Sequence, residues 1–100
     1  MLKKLNPLLH SQLRLAVMSI LMQVEHADFN YLLEQTDATS GNLSVQLSKL
    51  EENKYITIKK SFKNKKPLTR CAITPTGRSA IEEYVQTLKT YLPNSNQNTL

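Results

Sequence analysis

The sequence predicts a mainly α-helical domain with one small β-hairpin, its helices flanking a two- to three-stranded antiparallel sheet. Three observations carry that expectation. Leu43, Leu47 and Leu50 recur at helical spacing, as do Ile81, Tyr84, Val85, Leu88 and Leu92. Two short strand-like runs stand at 55–58 and 69–73. Between them, 59–70 carries Lys59, Lys60, Lys63, Lys65, Lys66 and Arg70 and no acidic residue, which suits a basic loop facing a polyanion.

Residues 2–9 form an apolar lead-in. Ser11 is placed to cap a helix reaching about residue 24. Leu13, Val17, Ile20, Leu21 and Val24 make its stripe, and Leu15, Ala16, Met18 and Met22 widen it to a second side. In so small a domain that second side is expected to face another subunit. His26-Ala27-Asp28 breaks the pattern, Phe29 is expected in a very short strand, and Asp28 or Asn30 can cap a second helix through Gln35. Thr36-Asp37-Ala38 reads as a tight turn, and Thr39 can cap a third helix over 40–53.

In the hairpin, Ile56 and Ile58 point one way and Thr57 and Lys59 the other, while Cys71 and Ile73 share a face against Arg70 and Ala72. Asn64 stands where the loop should turn, and Asn tolerates the left-handed conformation. Thr74-Pro75 joins a cap to a proline at the first helical position, and Pro93 stops the last helix. One domain is expected over 1–93, with 94–100 a frayed polar tail.

Two helices joined by a short turn and followed by a hairpin have the order of a winged helix-turn-helix. The third helix then becomes the element suited to a major groove. Projected at about 100° per residue, Leu43, Leu47 and Leu50 form the buried line, with Gly41, Ser44, Val45, Ser48, Lys49 and Glu52 opposite and Asn42 and Gln46 on one flank; Glu51 and Glu52 would repel DNA but stand at the far end, where the helix should be leaving the groove. Short side chains let a helix axis approach base edges. Ser44 and Ser48 can donate or accept, and Val45 can touch a thymine methyl. Asn42 and Gln46 can bond adenine or phosphate, and Lys49 guanine or phosphate. Thr39 and Ser40 stand at the helix start, whose free N–H groups suit a phosphate oxygen. Lys60, Lys63, Asn64, Lys65, Lys66 and Arg70 are expected on the backbone or in the minor groove, where they add affinity but little sequence information.

Ser40-Gly41-Asn42-Leu43-Ser44, with Leu47, Leu50-Glu51 and Tyr55-Ile56, resembles the recognition helix of small winged-helix regulators related to the MarR and ArsR groups. Residues 60–67, Thr69 and Ile73-Thr74-Pro75-Thr76-Gly77-Arg78 resemble their wing and the entry to their last helix. The resemblance spans about 8–92. It implies a homodimeric transcriptional regulator of double-stranded DNA, dimerising through its first and last helices. Leu9, Leu15, Met18, Met22, Tyr84, Leu88 and Tyr91 are the expected interface residues. Such proteins often have glycine where Lys54 and Asn64 stand here; Asn53 and Asn64 are expected to supply those turns. The paired cysteines of metal-sensing relatives are absent, so no metal function carries over.

Composition agrees. One hundred residues suffice for one core. The net charge of +5 is unevenly placed, because Glu34, Asp37, Glu51, Glu52, Glu82 and Glu83 are expected on the helices and the hairpin stays cationic. A single cysteine excludes an internal disulfide and fits the cytoplasm. No apolar run approaches the roughly 18 residues of a membrane span. His10 and His26 lack companion ligands, and Cys71 beside Ile73 reads as a packing residue. No nucleophile–base pair, carboxylate pair or glycine-rich phosphate loop is present, so neither catalysis nor a cofactor is expected. A second reading is a winged-helix interaction module whose basic wing binds an acidic protein.

Overall fold

The computed structural model describes residues 1–93, so the expected polar tail lies outside the described residues. Helix α1, Gln12–Leu21, starts where the Ser11 hydroxyl accepts from the Arg14 N–H. It stops a turn short of the expected end. Met22 N–H still donates to Met18, but Gln23 closes a tighter turn on Ile20, which leaves Val24 exposed and outside the buried stripe.

The short strand β1 is Ala27–Asp28, and Phe29 instead opens α2, Phe29–Thr36. Ala27 is buried opposite Cys71, and extended Asp28 forms the helix N-cap without a side-chain cap bond. Asp37 ends α2 in the left-handed conformation, φ 55°. Helix α3, Ser40–Glu52, is capped by the Thr39 hydroxyl, 3.2 Å from Asn42 N. Leu43, Leu47 and Leu50 are buried beneath α3 as expected, meeting Val17, Leu21 and Leu32 in one core.

Strands β2, Ile56–Lys63, and β3, Lys66–Ile73, pair without interruption from Ile56–Ile73 to Lys63–Lys66, and the sheet order is β1-β3-β2. The basic segment is therefore not a loop. Only Asn64 and Lys65 turn, with φ 54° and 66°, the pattern of a type I′ hairpin turn. The outer half of this hairpin has no core to face, so its lysine-rich sequence carries no apolar alternation to announce a strand.

The turn after α3 also differs from expectation. Asn53 keeps φ −91°, and Lys54 takes φ 64°. Lys54 N–H bonds Glu51 O and Tyr55 N–H bonds Leu50 O, the paired bonds of a Schellman motif, which places the left-handed residue at Lys54. A lysine there carries the Cβ penalty that glycine lacks. Lys54→Gly is expected to raise stability by about 0.5–1 kcal/mol, read as a higher urea midpoint. A lower midpoint would contradict this account of the turn.

Helix α4, Pro75–Lys89, begins as expected: the Thr74 hydroxyl accepts from Gly77 N–H at 2.9 Å and donates to Lys54 O at 2.6 Å. Ile81, Tyr84 and Thr87 face inward, but Val85 and Leu92, expected in the same stripe, are 42% and 51% exposed. One side of α4 is covered by the N-terminal segment, where His10 Nδ1 lies 2.9 Å from the Tyr84 hydroxyl and the Tyr91 hydroxyl donates to Lys3 O. Nothing within the described residues covers Val85 and Leu92 fully.

Cys71 is completely buried, as its strand face implied. Burial, with smaller contributions from Glu51 and Asp28, pushes its thiol up to about 11. The protonated thiol favours the folded state, so this contribution is complete at neutral pH and is lost as pH rises from about 9 towards 11. Native protein at pH 8 is expected to react with an aromatic disulfide reagent only as fast as it unfolds. Rapid labelling would show an accessible thiol.

Candidate nucleic-acid interface

Two surfaces meet on one side of the molecule. The first is the open face of α3. Ser44, Val45, Ser48 and Lys49 are all exposed there, and a Cβ at Gly41 would meet nothing within 4 Å. Thr39 and Ser40 are exposed at its N-terminus. The face is low, as a groove-binding helix requires.

The flank is different. Gln46 is half-buried, its Oε1 accepts from Arg14 Nη1, and its Nε2 donates to Asn42 Oδ1 at 2.9 Å. Arg14 also donates from Nε to Leu8 O at 2.6 Å. Gln46 is thus held towards α1, and Asn42 is the more outward of the pair. Arg14 escapes the sequence reading. Its signal was a cation set between Leu13 and Leu15 on an apolar helix, which invites a polar partner from a neighbour.

The second surface is the wing, whose cations sort by strand alternation. Continuing the inward face of Ile58 and Cys71, the next cross-strand pairs are Lys60–Thr69 and Phe62–Pro67. Lys60 and Thr69 join Ser44, Ser48, Leu47, Ile58 and Phe29 around an open notch of about 270 Å³ between α3 and the sheet. Lys59, Lys63, Lys66 and Arg70 belong to the opposite face, and Asn64 and Lys65 form the tip. Arg70, expected on DNA, is half-exposed and pairs with Asp28, its register partner on β1, at 3.4 Å. The sequence contains no carboxylate side chain from 53 to 81.

Of the residues expected at a subunit interface, Leu9, Met18 and Tyr84 are buried within the single chain and offer no free surface. They sit where the N-terminal segment, α1 and α4 close on the core. Leu15, Met22 and Leu88 are half-buried, and Tyr91 is exposed. Among the described residues, no three His, Cys, Asp or Glu side chains gather as a metal site, and no helix is long and apolar enough to cross a membrane.

Four helices and a three-stranded antiparallel sheet, with a helix-turn-helix followed by a β-wing, define a winged-helix domain. The family model described as the winged helix DNA-binding domain matches residues 13–92, and the chain belongs to that family. A relative, "Uncharacterized protein MJ0432" of Methanocaldococcus jannaschii, is 37% identical over 76 residues, spanning 76% of this chain and 83% of that protein. A solved transcriptional regulator homologue protein from Pyrococcus horikoshii OT3 superposes with a TM-score of 0.81 at 26% identity, covering 87% of this chain and 86% of the other. A MarR-family transcriptional regulator from Silicibacter pomeroyi shares the fold, with a TM-score of 0.68 at 16% identity over 94% of this chain and 62% of its own.

Proposed function

We propose that the chain is a homodimeric transcriptional regulator that binds double-stranded DNA in the cytoplasm, as one domain over 1–93. Helix α3 lies in the major groove, reading bases through Asn42, Ser44, Val45, Ser48 and Lys49, with Gln46 setting the orientation of Asn42. The wing follows the backbone towards the adjacent minor groove, with Lys60 nearest α3 and Lys63, Asn64, Lys65 and Lys66 around the tip. The observation that carries this reading is the notch lined by Ser44 and Ser48 of α3 and Lys60 of the wing, whose own segment is free of carboxylates from 53 to 81. Phosphate contacts there supply affinity, and base contacts from α3 supply discrimination.

The dimer rests on part of the expected surface, keeping Leu88 and Tyr91 at the end of the last helix and leaving out the buried Leu9, Met18 and Tyr84. Val85 is exposed and Leu88 half-buried on α4, and Tyr91 and Leu92 are exposed just past its end, where the bond from the Tyr91 hydroxyl to Lys3 O brings in the N-terminal segment with its exposed Leu2. An apolar stripe of this kind is what a self-complementary two-fold contact covers. Selection of bound sequences from a random duplex pool tests the reading. The expected result is a two-fold symmetric consensus with half-sites about one helical turn apart. An unenriched pool would overturn it, and would favour the protein-interaction alternative if an acidic partner bound instead.

A further inference from the structure

The wing carries an aromatic side chain that neither the core nor phosphate binding uses. Phe62 is 74% exposed, although it lies on the strand face that is buried two pairs nearer the core. Its direct cross-strand partner is Pro67, also exposed. The two-residue turn closes on Lys63 and Lys66, so the Phe62–Pro67 pair falls at the non-hydrogen-bonded site, where side chains stand closest and the missing proline N–H leaves no gap in the β2 ladder. Two rigid apolar groups therefore stand together on the inner face of the wing. They lie about 7 Å beyond Lys60 along the strand, at roughly 3.4 Å per residue.

A single exposed apolar residue is ordinary, but here two stand together within a rim of lysines, and a polar-rimmed apolar patch marks an interaction site. The surroundings select the occupant. Lys60, Lys63, Lys65 and Lys66 neighbour the pair in sequence and register, and no acidic residue lies within the wing. This environment repels a basic or apolar-basic partner and attracts a polyanion with apolar faces inside it. Stacked bases between two phosphate backbones fit that description.

We propose that Phe62, backed by Pro67, is a wedge that enters the minor groove and partly unstacks one base step, kinking the duplex. Phe and Pro are side-chain types that act in this way, and the step they open is the one whose stacking yields most readily, pyrimidine–purine. The consequence is sequence preference at a position the wing does not read by hydrogen bonding. This inference rests on the duplex-binding reading above.

The test uses the full chain and two duplexes of about 30 base pairs, of equal composition and charge, one of alternating TA steps and one built of A-tracts. End-to-end energy transfer reports bending, and 2-aminopurine within a TA step reports unstacking. The wild-type protein is expected to bend and unstack the alternating duplex and to bind it about tenfold more tightly than the A-tract. Phe62→Ala, at an exposed position, is expected to lose the bend, the unstacking and the preference while keeping the salt dependence of the lysine contacts. Phe62→Leu keeps part of each as a shorter wedge. Duplex binding with a steep salt dependence but with bend and preference absent, or unchanged in Phe62→Ala, overturns the wedge alone. Absence of binding to either duplex overturns the wedge and the parent reading together.

Discussion

Gly77→Ala is expected to destabilise the protein by about 3 kcal/mol, at the upper end of overpacking costs. A Cβ at Gly77 would stand 2.1 Å from Tyr55 O and 2.9 Å from Tyr55 C, and both are backbone atoms that no rotamer change can move. That carbonyl also accepts from Thr74 N–H at 3.0 Å, so moving it away breaks the joint between the wing and α4. The chain's other glycine gives the control. A Cβ at Gly41 meets nothing within 4 Å, so Gly41→Ala is expected to gain about 0.5–1 kcal/mol from helix propensity. Urea unfolding of the two variants should therefore move in opposite directions. Equal stability of Gly77→Ala and the native protein would mean that α4 does not pack on Tyr55 as described.

Ser48→Glu is expected to abolish most duplex binding while leaving the fold intact. Ser48 is exposed on α3 and lines the notch shared with Lys60. A carboxylate there meets the phosphate backbone or base acceptors at close range, and like-charge contacts of this kind cost several kcal/mol, or about 100-fold in affinity. Exposed helical substitutions of this type change stability by about 0.5 kcal/mol at most. Circular dichroism should be unchanged while fluorescence anisotropy of a labelled duplex loses its saturable rise. Native affinity in this variant would place α3 outside the groove.

The parts of the fold that local chemistry specifies were readable from the sequence. Caps at Ser11, Thr39 and Thr74 announced three helix starts, and Leu43, Leu47 and Leu50 announced the buried side of α3, because each signal lies within a few residues of its effect. What escaped depends on distant partners. Arg14 and Gln46 are 32 residues apart, and their bond turns an expected base reader towards α1. Periodicity located the stripe of α4 but could not say that Val85 and Leu92 would lack cover while Tyr84 was buried. The wing looked like a loop because its outer half has no buried face. Its lysines could be counted but not assigned to faces until the register from Ile56–Ile73 to Lys63–Lys66 was known. The left-handed turn fell on Lys54 because Asn53 stays in the helix terminus, with its side-chain amide donating to Lys49 O at 2.9 Å.

In the proposed complex the wing neutralises DNA phosphates beside a groove-bound α3. The most direct test of that role is the salt dependence of duplex affinity, measured by fluorescence anisotropy from about 50 to 200 mM salt. The native protein is compared with Lys63→Ala/Lys65→Ala/Lys66→Ala. For the native protein, log affinity is expected to fall linearly with log salt. In the triple variant the slope becomes shallower by about one for each phosphate no longer neutralised, and specific and random duplexes weaken alike. Identical slopes for the two proteins would contradict that role of the wing.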